Sequence, residues 1–240
     1  LASARVVAPL VLRLASIKSV IDIGCGVGTW LRAFSENGVE EIRGVDGDYV
    51  NPSQLYIPPE RFIPADLAKP LKVEDRYDLA VSLEVAEHLD PRAGGQLIIT
   101  LTSLAPLVLF SAAAPGQGGI GHVNEQWPRY WRSLFEARGF KMLDILRPLI
   151  REDRRVAWWY RQNIALFAGE AAISANPKLQ EFLSQEFLSN DREMNSDPKD
   201  IEWIHINMIS PPHAGVRNLM AHLRPALRHA IRKRLAGRAQ

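Results

Sequence analysis

Short apolar runs alternate with segments of helical spacing along the first 170 residues or so of the chain. The apolar runs predict buried strands, because a parallel strand covered on both faces is apolar throughout. Apolar residues recurring every three or four positions predict helices instead. The predicted strands are 19–23, 41–45, 61–64, 77–83, 107–111, 140–146 and 156–168, and the predicted helices are 3–14, 29–37, 92–104 and 127–138. This alternation predicts βαβ units in a doubly wound, Rossmann-like α/β sheet with helices on both faces.

Two kinds of residue mark the ends of the predicted helices. Gly38 and Gly139 follow two of them and are expected to end them. Pro9 is expected either to kink the first helix or to mark its start, because proline lacks a backbone N–H.

The alternation stops at Gly169, so residues 1–169 are predicted to form the main domain and residues 170–240 a helical extension. A helix is predicted at 177–190 with Asn176 as its N-cap, then a polar linker at 191–200. The segment 216–235 predicts an amphipathic, basic C-terminal helix. Packing on its own domain or on a second subunit of a homodimer is the favoured role, and peripheral contact with an anionic membrane is the alternative.

Composition narrows the class of protein. Of the 240 residues, 47% are hydrophobic and 23% are charged, which is typical of a globular domain. The net charge of +2 gives no basic body, so nucleic acid is not an expected partner. Cys25 is the single cysteine, and no apolar run reaches the roughly 20 residues of a membrane span. A cytoplasmic location is expected, and a missing upstream segment stays open because the chain begins at Leu1.

A glycine cluster separates the first predicted strand from the second predicted helix. Gly24, Gly26 and Gly28 stand in the segment VIDIGCGVGTW, where glycines let the backbone turn tightly and lie against a flat ligand. Dinucleotide-binding loops require a third glycine at position 29, which is Thr29 here. The spacing therefore disfavours a nicotinamide dinucleotide.

Acidic residues stand at the ends of three successive predicted strands. Asp22 precedes the glycine loop, Asp46 ends the second strand and Asp66 ends the third. A carboxylate at position 46 can accept hydrogen bonds from two vicinal ribose hydroxyls, and one at position 66 can reach an adenine amino group. A solvated turn would explain each acid alone, but three beside a glycine loop favour a ligand site.

The segments VIDIGCGVGTW, GVDGD, PADL and YDLAVSLEVAEHL resemble the successive motifs of class I S-adenosylmethionine-dependent methyltransferases in order and spacing, over about residues 15–168. The resemblance implies a mostly parallel, seven-stranded sheet whose last strand is antiparallel. It also implies S-adenosylmethionine as cofactor, with Asp22 and Gly24 at the methionine part, Asp46 at the ribose and Asp66 at the adenine. The other candidates for this site are Cys25, Gly26, Leu67 and Leu83.

Candidate catalytic groups follow the fourth and fifth predicted strands. If a helix or a helical turn begins here, Glu84, Glu87 and His88 share one face of it. Two carboxylates with an imidazole suit a divalent cation such as Mg²⁺, Mn²⁺ or Zn²⁺. His122, in the glycine-rich loop after strand 107–111, can supply a fourth ligand.

This E-x-x-E-H pattern with a later histidine resembles the metal site of the plant small-RNA 2′-O-methyltransferases and of the ubiquinone-pathway O-methyltransferases. The resemblance implies that Glu84, Glu87, His88 and His122 are metal ligands. A metal-free site remains open, with His88 or His122 as general base and Glu84 as a further catalytic candidate, and so does a purely structural role.

The expected function is methylation of a hydroxyl on a small molecule or glycan. Two alternatives remain. One is an N-methyltransferase or nucleic-acid methyltransferase that binds through the basic tail. The other is a non-catalytic domain that binds the methyl donor and regulates a partner.

Overall fold

The computed structural model describes residues 1–71, 73 and 75–189. A seven-stranded sheet with the order β3-β2-β1-β4-β5-β7-β6 forms its centre. All neighbouring strands are parallel except β7, which runs antiparallel to both β5 and β6. The strands are β1 (Ser19–Ile23), β2 (Glu41–Asp46), β3 (Phe62–Pro64), β4 (Leu79–Leu83), β5 (Leu107–Ser111), β6 (Phe140–Leu143) and β7 (Ala165–Gly169). The predicted fold class, including the antiparallel last strand, is confirmed.

Helices cover both faces of the sheet. Val20 of β1 belongs to one apolar cluster and its neighbour Ile21 to another, because successive side chains of a strand point to opposite faces. The helices are α1 (Ala2–Leu12), α2 (Thr29–Glu36), α3 (Pro91–Leu104), α4 (Pro128–Glu136), α5 (Leu146–Ile150), α6 (Trp158–Asn163), α7 (Glu170–Ala175) and α8 (Pro177–Ser189). The first cluster includes residues of α1 and α2, and the second includes residues of α3 and α4.

The position of β1 determines where a ligand can bind. β1 pairs in parallel with β2 on one side and with β4 on the other, so the order of strands reverses direction beside it. Open α/β sheets bind ligands at such a switch point, outside the carboxyl ends of the strands. The glycine loop, Asp46 and Glu84 all lie at these ends.

Local structure differs from the predictions at three places. Of the two roles left open for Pro9, the start of the first helix is excluded, because α1 begins at Ala2 and contains Pro9 in its interior. The segment 156–168 is not one strand, because its first half forms α6 and only β7 is extended. The aromatic residues of this segment favour a strand locally, but tertiary packing determines its conformation. Tyr160 of α6 contacts Trp30 of α2 edge-on, with ring centroids 5.1 Å apart. The predicted strand 140–146 is likewise shorter, and α5 begins at Leu146.

The described part of the extension packs against the domain. Ala172 of α7 and Leu179 of α8 are buried in the cluster that contains α1. Asn176 precedes α8 as predicted, but its side-chain amide donates to the carbonyl of Ala172 at the end of α7 (2.6 Å). The boundary at Gly169 remains a prediction, and the predicted linker 191–200 and basic helix 216–235 lie outside the described residues. None of the described helices is long and apolar enough to cross a membrane.

Candidate functional site

The turn after β1 brings the main chain close to the carboxyl end of the sheet. Gly24 has a φ of +86°, and its N–H donates to the carbonyl of Val45 in β2 (2.7 Å). A Cβ on Gly24 would lie 2.3 Å from Cγ2 of Val85, so packing itself requires glycine. Gly26 also has a positive φ, of +53°, yet a Cβ there would meet no heavy atom within 4 Å. Packing against Val85 therefore excludes a side chain at Gly24, whereas Gly26 faces open space.

Asp46 is buried at the end of β2, with 4% of its surface exposed. Its Oδ2 accepts a hydrogen bond from the N–H of Gly26 (2.7 Å), which ties the glycine loop to β2. Its Oδ1 accepts from the N–H of Gly47 (2.7 Å) and from the hydroxyl of Tyr49. The hydrogen bond to Asp46 is the main cause, and burial the next, of a pKa of Tyr49 that is raised to about 12. The carboxylate thus already binds a hydroxyl, the group that a ribose presents.

A cavity of about 840 Å³ opens beside these residues. Gly24, Gly26 and Asp46 line one part of its wall, and Asp66 with Leu67 lines another. Asp66 is exposed and forms an ion pair with Lys69 (3.0 Å), which lowers the pKa of this carboxyl. The volume lies within the roughly 300–1,000 Å³ of ordinary small-molecule sites.

Three further donor-site candidates do not line this cavity. Asp22, Cys25 and Leu83 are all buried, and they lie next to the residues that form the wall. Burial, followed by the charge of Asp46, raises the pKa of Asp22 well above its usual range, and Oδ2 of Asp22 has no hydrogen-bond partner. Burial also raises the pKa of the Cys25 thiol, so this cysteine is not an activated nucleophile. All three are therefore buried residues that do not line the cavity.

Glu84 lies directly after β4 in an unusual backbone conformation. Its φ of +58° makes it the one non-glycine residue with a positive φ among those described. Its carboxylate accepts hydrogen bonds from the side-chain amides of Gln117 (2.8 Å) and Asn163 (3.2 and 3.4 Å). A short 3₁₀ turn, Ala86–His88, follows it. A helical turn therefore does form, but Glu84 lies outside it with a positive φ, so the three residues do not share one helical face.

Glu87, His88 and His122 come together in space. Each offers a ligand atom, and these atoms all lie within 4.8 Å of one another. Glu87 is fully buried, neither of its carboxylate oxygens has a hydrogen-bond partner, and burial followed by the charge of Glu84 raises its pKa to about 8. The rings of His88 and His122 meet edge to face, with centroids 4.8 Å apart. Glu84 is not in this group of three, although its charge acts on Glu87.

Backbone hydrogen bonds hold the loop of His122 against the turn of Glu87. The N–H groups of Val123 and Asn124 both donate to the carbonyl of Glu87 (2.9 and 3.0 Å). The buried side-chain amide of Asn124 donates to the carbonyl of Ala86 (3.3 Å). Two histidines that are 34 positions apart in the sequence are thereby fixed beside one carboxylate.

Residues 2–108 match a family model described as a methyltransferase domain. The matched residues include the glycine loop, Asp46, Asp66 and the turn with Glu87 and His88. Over these residues, just under half of the chain, the sequence is similar to methyltransferase domains. Comparison of its sequence with curated proteins gives no match.

Solved structures of methyltransferases share the architecture of this chain. The methyltransferase domain of a bacterial CtHen1 is 20% identical, with a TM-score of 0.52, over 70% of this chain and 97% of that chain. The sugar N-methyltransferase KedS8 from Streptoalloteichus sp ATCC 53650 is 13% identical, with a TM-score of 0.53, over 70% and 87%. Magnesium protoporphyrin IX methyltransferase from Synechocystis PCC 6803, solved with bound SAM, is 20% identical, with a TM-score of 0.50, over 70% and 77%. At these identities the likeness establishes the class I methyltransferase fold.

Three residues of the candidate site are not among the predicted ones. Tyr49 stands three positions after Asp46, so its proximity to that carboxylate is a local signal that the sequence does contain. Gln117 and Asn163 reach Glu84 from a loop and a helix far along the chain, and Asn163 also donates to Oε1 of Gln117 (2.8 Å). No local pattern indicates such an amide pair, because only the tertiary fold brings it to β4.

Proposed function

We propose that this domain transfers the methyl group of S-adenosylmethionine to a hydroxyl of a small-molecule or glycan acceptor, with a divalent cation held by Glu87, His88 and His122. One observation carries the proposal. Glu84 and His88 line the same cavity as Gly26 and Asp46. His88, whose ligand atom lies within 4.8 Å of those of Glu87 and His122, thus connects this cluster to the cavity in which the methyl donor would bind.

The residues around the cavity fit S-adenosylmethionine. Gly26 leaves room for a ligand against the main chain, and Asp46 can accept hydrogen bonds from ribose hydroxyls once the Tyr49 hydroxyl moves away. Asp66 and Leu67 also line this cavity, which supports the proposal that they contact the adenine. The bound donor supplies an electrophilic methyl group for in-line displacement, and this chain positions the donor relative to the acceptor.

The cluster also fits a divalent cation. Ionising a buried carboxyl that has no hydrogen-bond partner is unfavourable, which is why the pKa of Glu87 is raised, and a bound cation would compensate the charge of the ionised form. One carboxylate and two imidazoles are a donor set for Mn²⁺ or Zn²⁺ as well as Mg²⁺. Such a cation would lower the pKa of an acceptor hydroxyl and orient it.

The acceptor class is proposed from a structural neighbour. KedS8, which shares the fold, is a sugar N-methyltransferase, and this supports a sugar-sized acceptor and makes an amine the alternative to a hydroxyl. The cytoplasmic location and the homodimer stay predictions, as does membrane contact through the tail.

The test combines methyl transfer with metal binding. Metal-stripped protein is titrated with Mn²⁺ by calorimetry, and transfer from isotopically labelled donor to catechol and to an amino sugar is followed by mass spectrometry. We expect Mn²⁺-dependent methylation of a hydroxyl, and loss of Mn²⁺ affinity by about 100-fold in Glu87→Gln and His122→Asn. Glu136→Gln, on the outer face of α4, is the matched control.

The two parts of this proposal fail separately. Transfer only to the amine would contradict O-methylation. Transfer that survives chelation and the Glu87→Gln substitution would contradict the metal and leave His88 or His122 as general base.

The two glycines of the loop should respond differently to the same substitution. Gly24→Ala is expected to lower the free energy of unfolding by about 2–5 kcal/mol, because a left-handed φ and the clash with Val85 both oppose a Cβ. Gly26→Ala should lower it by only about 1–2 kcal/mol, but should weaken donor binding at least about tenfold by filling the ligand's space. Urea unfolding and donor titration measure both. Unchanged donor affinity in Gly26→Ala would show that no ligand lies against this residue.

A further inference from the structure

The carboxylate of Glu125 accepts hydrogen bonds from two backbone N–H groups of the glycine-rich loop and lies beside a ring nitrogen of His122. Its Oε2 accepts from the N–H of Gly116 (2.8 Å), and its Oε1 accepts from the N–H of Gly118 (2.8 Å). The same Oε1 lies 2.9 Å from Nδ1 of His122. The two side chains are shielded, with 20% of Glu125 and 11% of His122 exposed. The loop therefore folds around one carboxylate.

We propose that Glu125 is a positioning residue that holds neutral His122 in the tautomer protonated at Nδ1, so that Nε2 keeps its lone pair for a metal or a proton. This inference rests on the proposed function of His122. An ionised carboxylate only accepts hydrogen bonds, so the ring nitrogen that faces it must carry the hydrogen. The partner of one ring nitrogen determines in this way what the other can do.

The position of Gly119 is consistent with a free Nε2. A Cβ on Gly119 would lie 2.2, 2.5 and 2.7 Å from Nε2, Cε1 and Cδ2 of His122. Nearly equal distances to three ring atoms place that Cβ over the face of the imidazole rather than along the lone pair of Nε2. The loop backbone thus packs on the ring while the lone pair stays unobstructed by this glycine.

The contact between Glu125 and His122 resembles the hydrogen bonds that support histidine ligands in metal sites. Metal-binding histidines usually donate their second N–H to a carboxylate or carbonyl, which orients the ring and makes the ligand more basic. Here the carboxylate is three residues from the histidine and is itself fixed by two backbone N–H groups. Glu125 therefore couples the shape of the loop to the orientation of His122.

The test measures the tautomer directly. Full-length, metal-stripped protein labelled with ¹⁵N-histidine is examined by NMR at about pH 8.5, where an ordinary histidine is neutral, and His122→Gln identifies the signal. We expect a protonated Nδ1 and an unprotonated Nε2 in the wild-type protein. Glu125→Ala should shift His122 towards the Nε2–H form and weaken Mn²⁺ binding about 10–100-fold, with donor affinity unchanged within about twofold. Glu125→Gln, which keeps one acceptor oxygen, should lie between.

The outcomes separate this inference from the proposed function. A wild-type His122 protonated at Nε2 would overturn the role of Glu125, and this measurement needs no variant to fold. An unchanged tautomer in a folded Glu125→Ala would overturn it as well. The expected tautomers without any Mn²⁺ binding would support Glu125 as the positioning residue and contradict the metal site alone.

Discussion

Asp46→Ala is expected to weaken binding of S-adenosylmethionine by about 100-fold or more. The buried carboxylate aligns the loop through the N–H of Gly26 and would accept the ribose hydroxyls of the donor. Hydrogen bonds to a charged group contribute about 1.5–3 kcal/mol each, so losing two removes roughly 3 kcal/mol or more, and about 1.4 kcal/mol corresponds to tenfold in affinity. Calorimetric titration with the donor and with its demethylated product measures the loss.

Tyr49→Phe is the matched variant, and its expected effect has the opposite sign. It leaves Asp46 in place but removes the hydroxyl that occupies Oδ1, so the donor no longer has to displace it. A net hydrogen bond of about 0.5–1.5 kcal/mol predicts a donor affinity higher by roughly 2- to 10-fold.

For the first variant, a donor affinity within about threefold of wild type in a folded Asp46→Ala would show that the ribose does not bind this carboxylate. Asp46→Asn replaces it if the alanine variant does not fold.

The sequence predicts the sheet well because buried parallel strands carry their signal locally. β1 and β5 have the predicted bounds, and α3 begins one residue before its predicted start because Asp90 caps it through its side chain. Residues of α6 have the local preferences of a strand, yet the contact between Tyr160 and Trp30 belongs to the tertiary fold. Local pattern fails where distant residues decide the conformation.

The same distinction applies to the site. Gly24, Gly26, Asp46 and Asp66 reach one cavity because each follows a strand of the same parallel sheet, which the order of motifs already indicates. The role of Glu84 depends on its positive φ and on two amides from distant segments, and neither is visible in the E-x-x-E-H spacing. Spacing along the chain indicates which residues are near the site, whereas the backbone determines which of them face each other.

Glu87 is expected to make the stability of the metal-free protein fall as pH rises. Its pKa is about 8 in the folded protein against an ordinary value of 4.5, so both states are protonated below about pH 4.5 and the folded state is not penalised there. Between these values the unfolded carboxyl is ionised while the folded one keeps its proton, so stability decreases until the folded carboxyl ionises near pH 8. The full loss is on the order of a few kcal/mol, since one pKa unit corresponds to about 1.4 kcal/mol.

Glu87→Gln isolates this effect, because a glutamine of the same shape does not titrate. In urea unfolding of metal-stripped protein, the free energy of unfolding of the variant should lie within about 1 kcal/mol of the wild-type value near pH 5. Near pH 9 it should exceed the wild-type value by a few kcal/mol. Saturating Mn²⁺ should remove the difference at high pH, because a cation stabilises the ionised carboxylate of the wild type alone. Glu136→Gln, which alters an exposed ion pair with Arg132, should show no such divergence. A difference between Glu87→Gln and wild type that stays constant from pH 5 to 9 would mean that Glu87 is ionised throughout and has a partner in the folded protein.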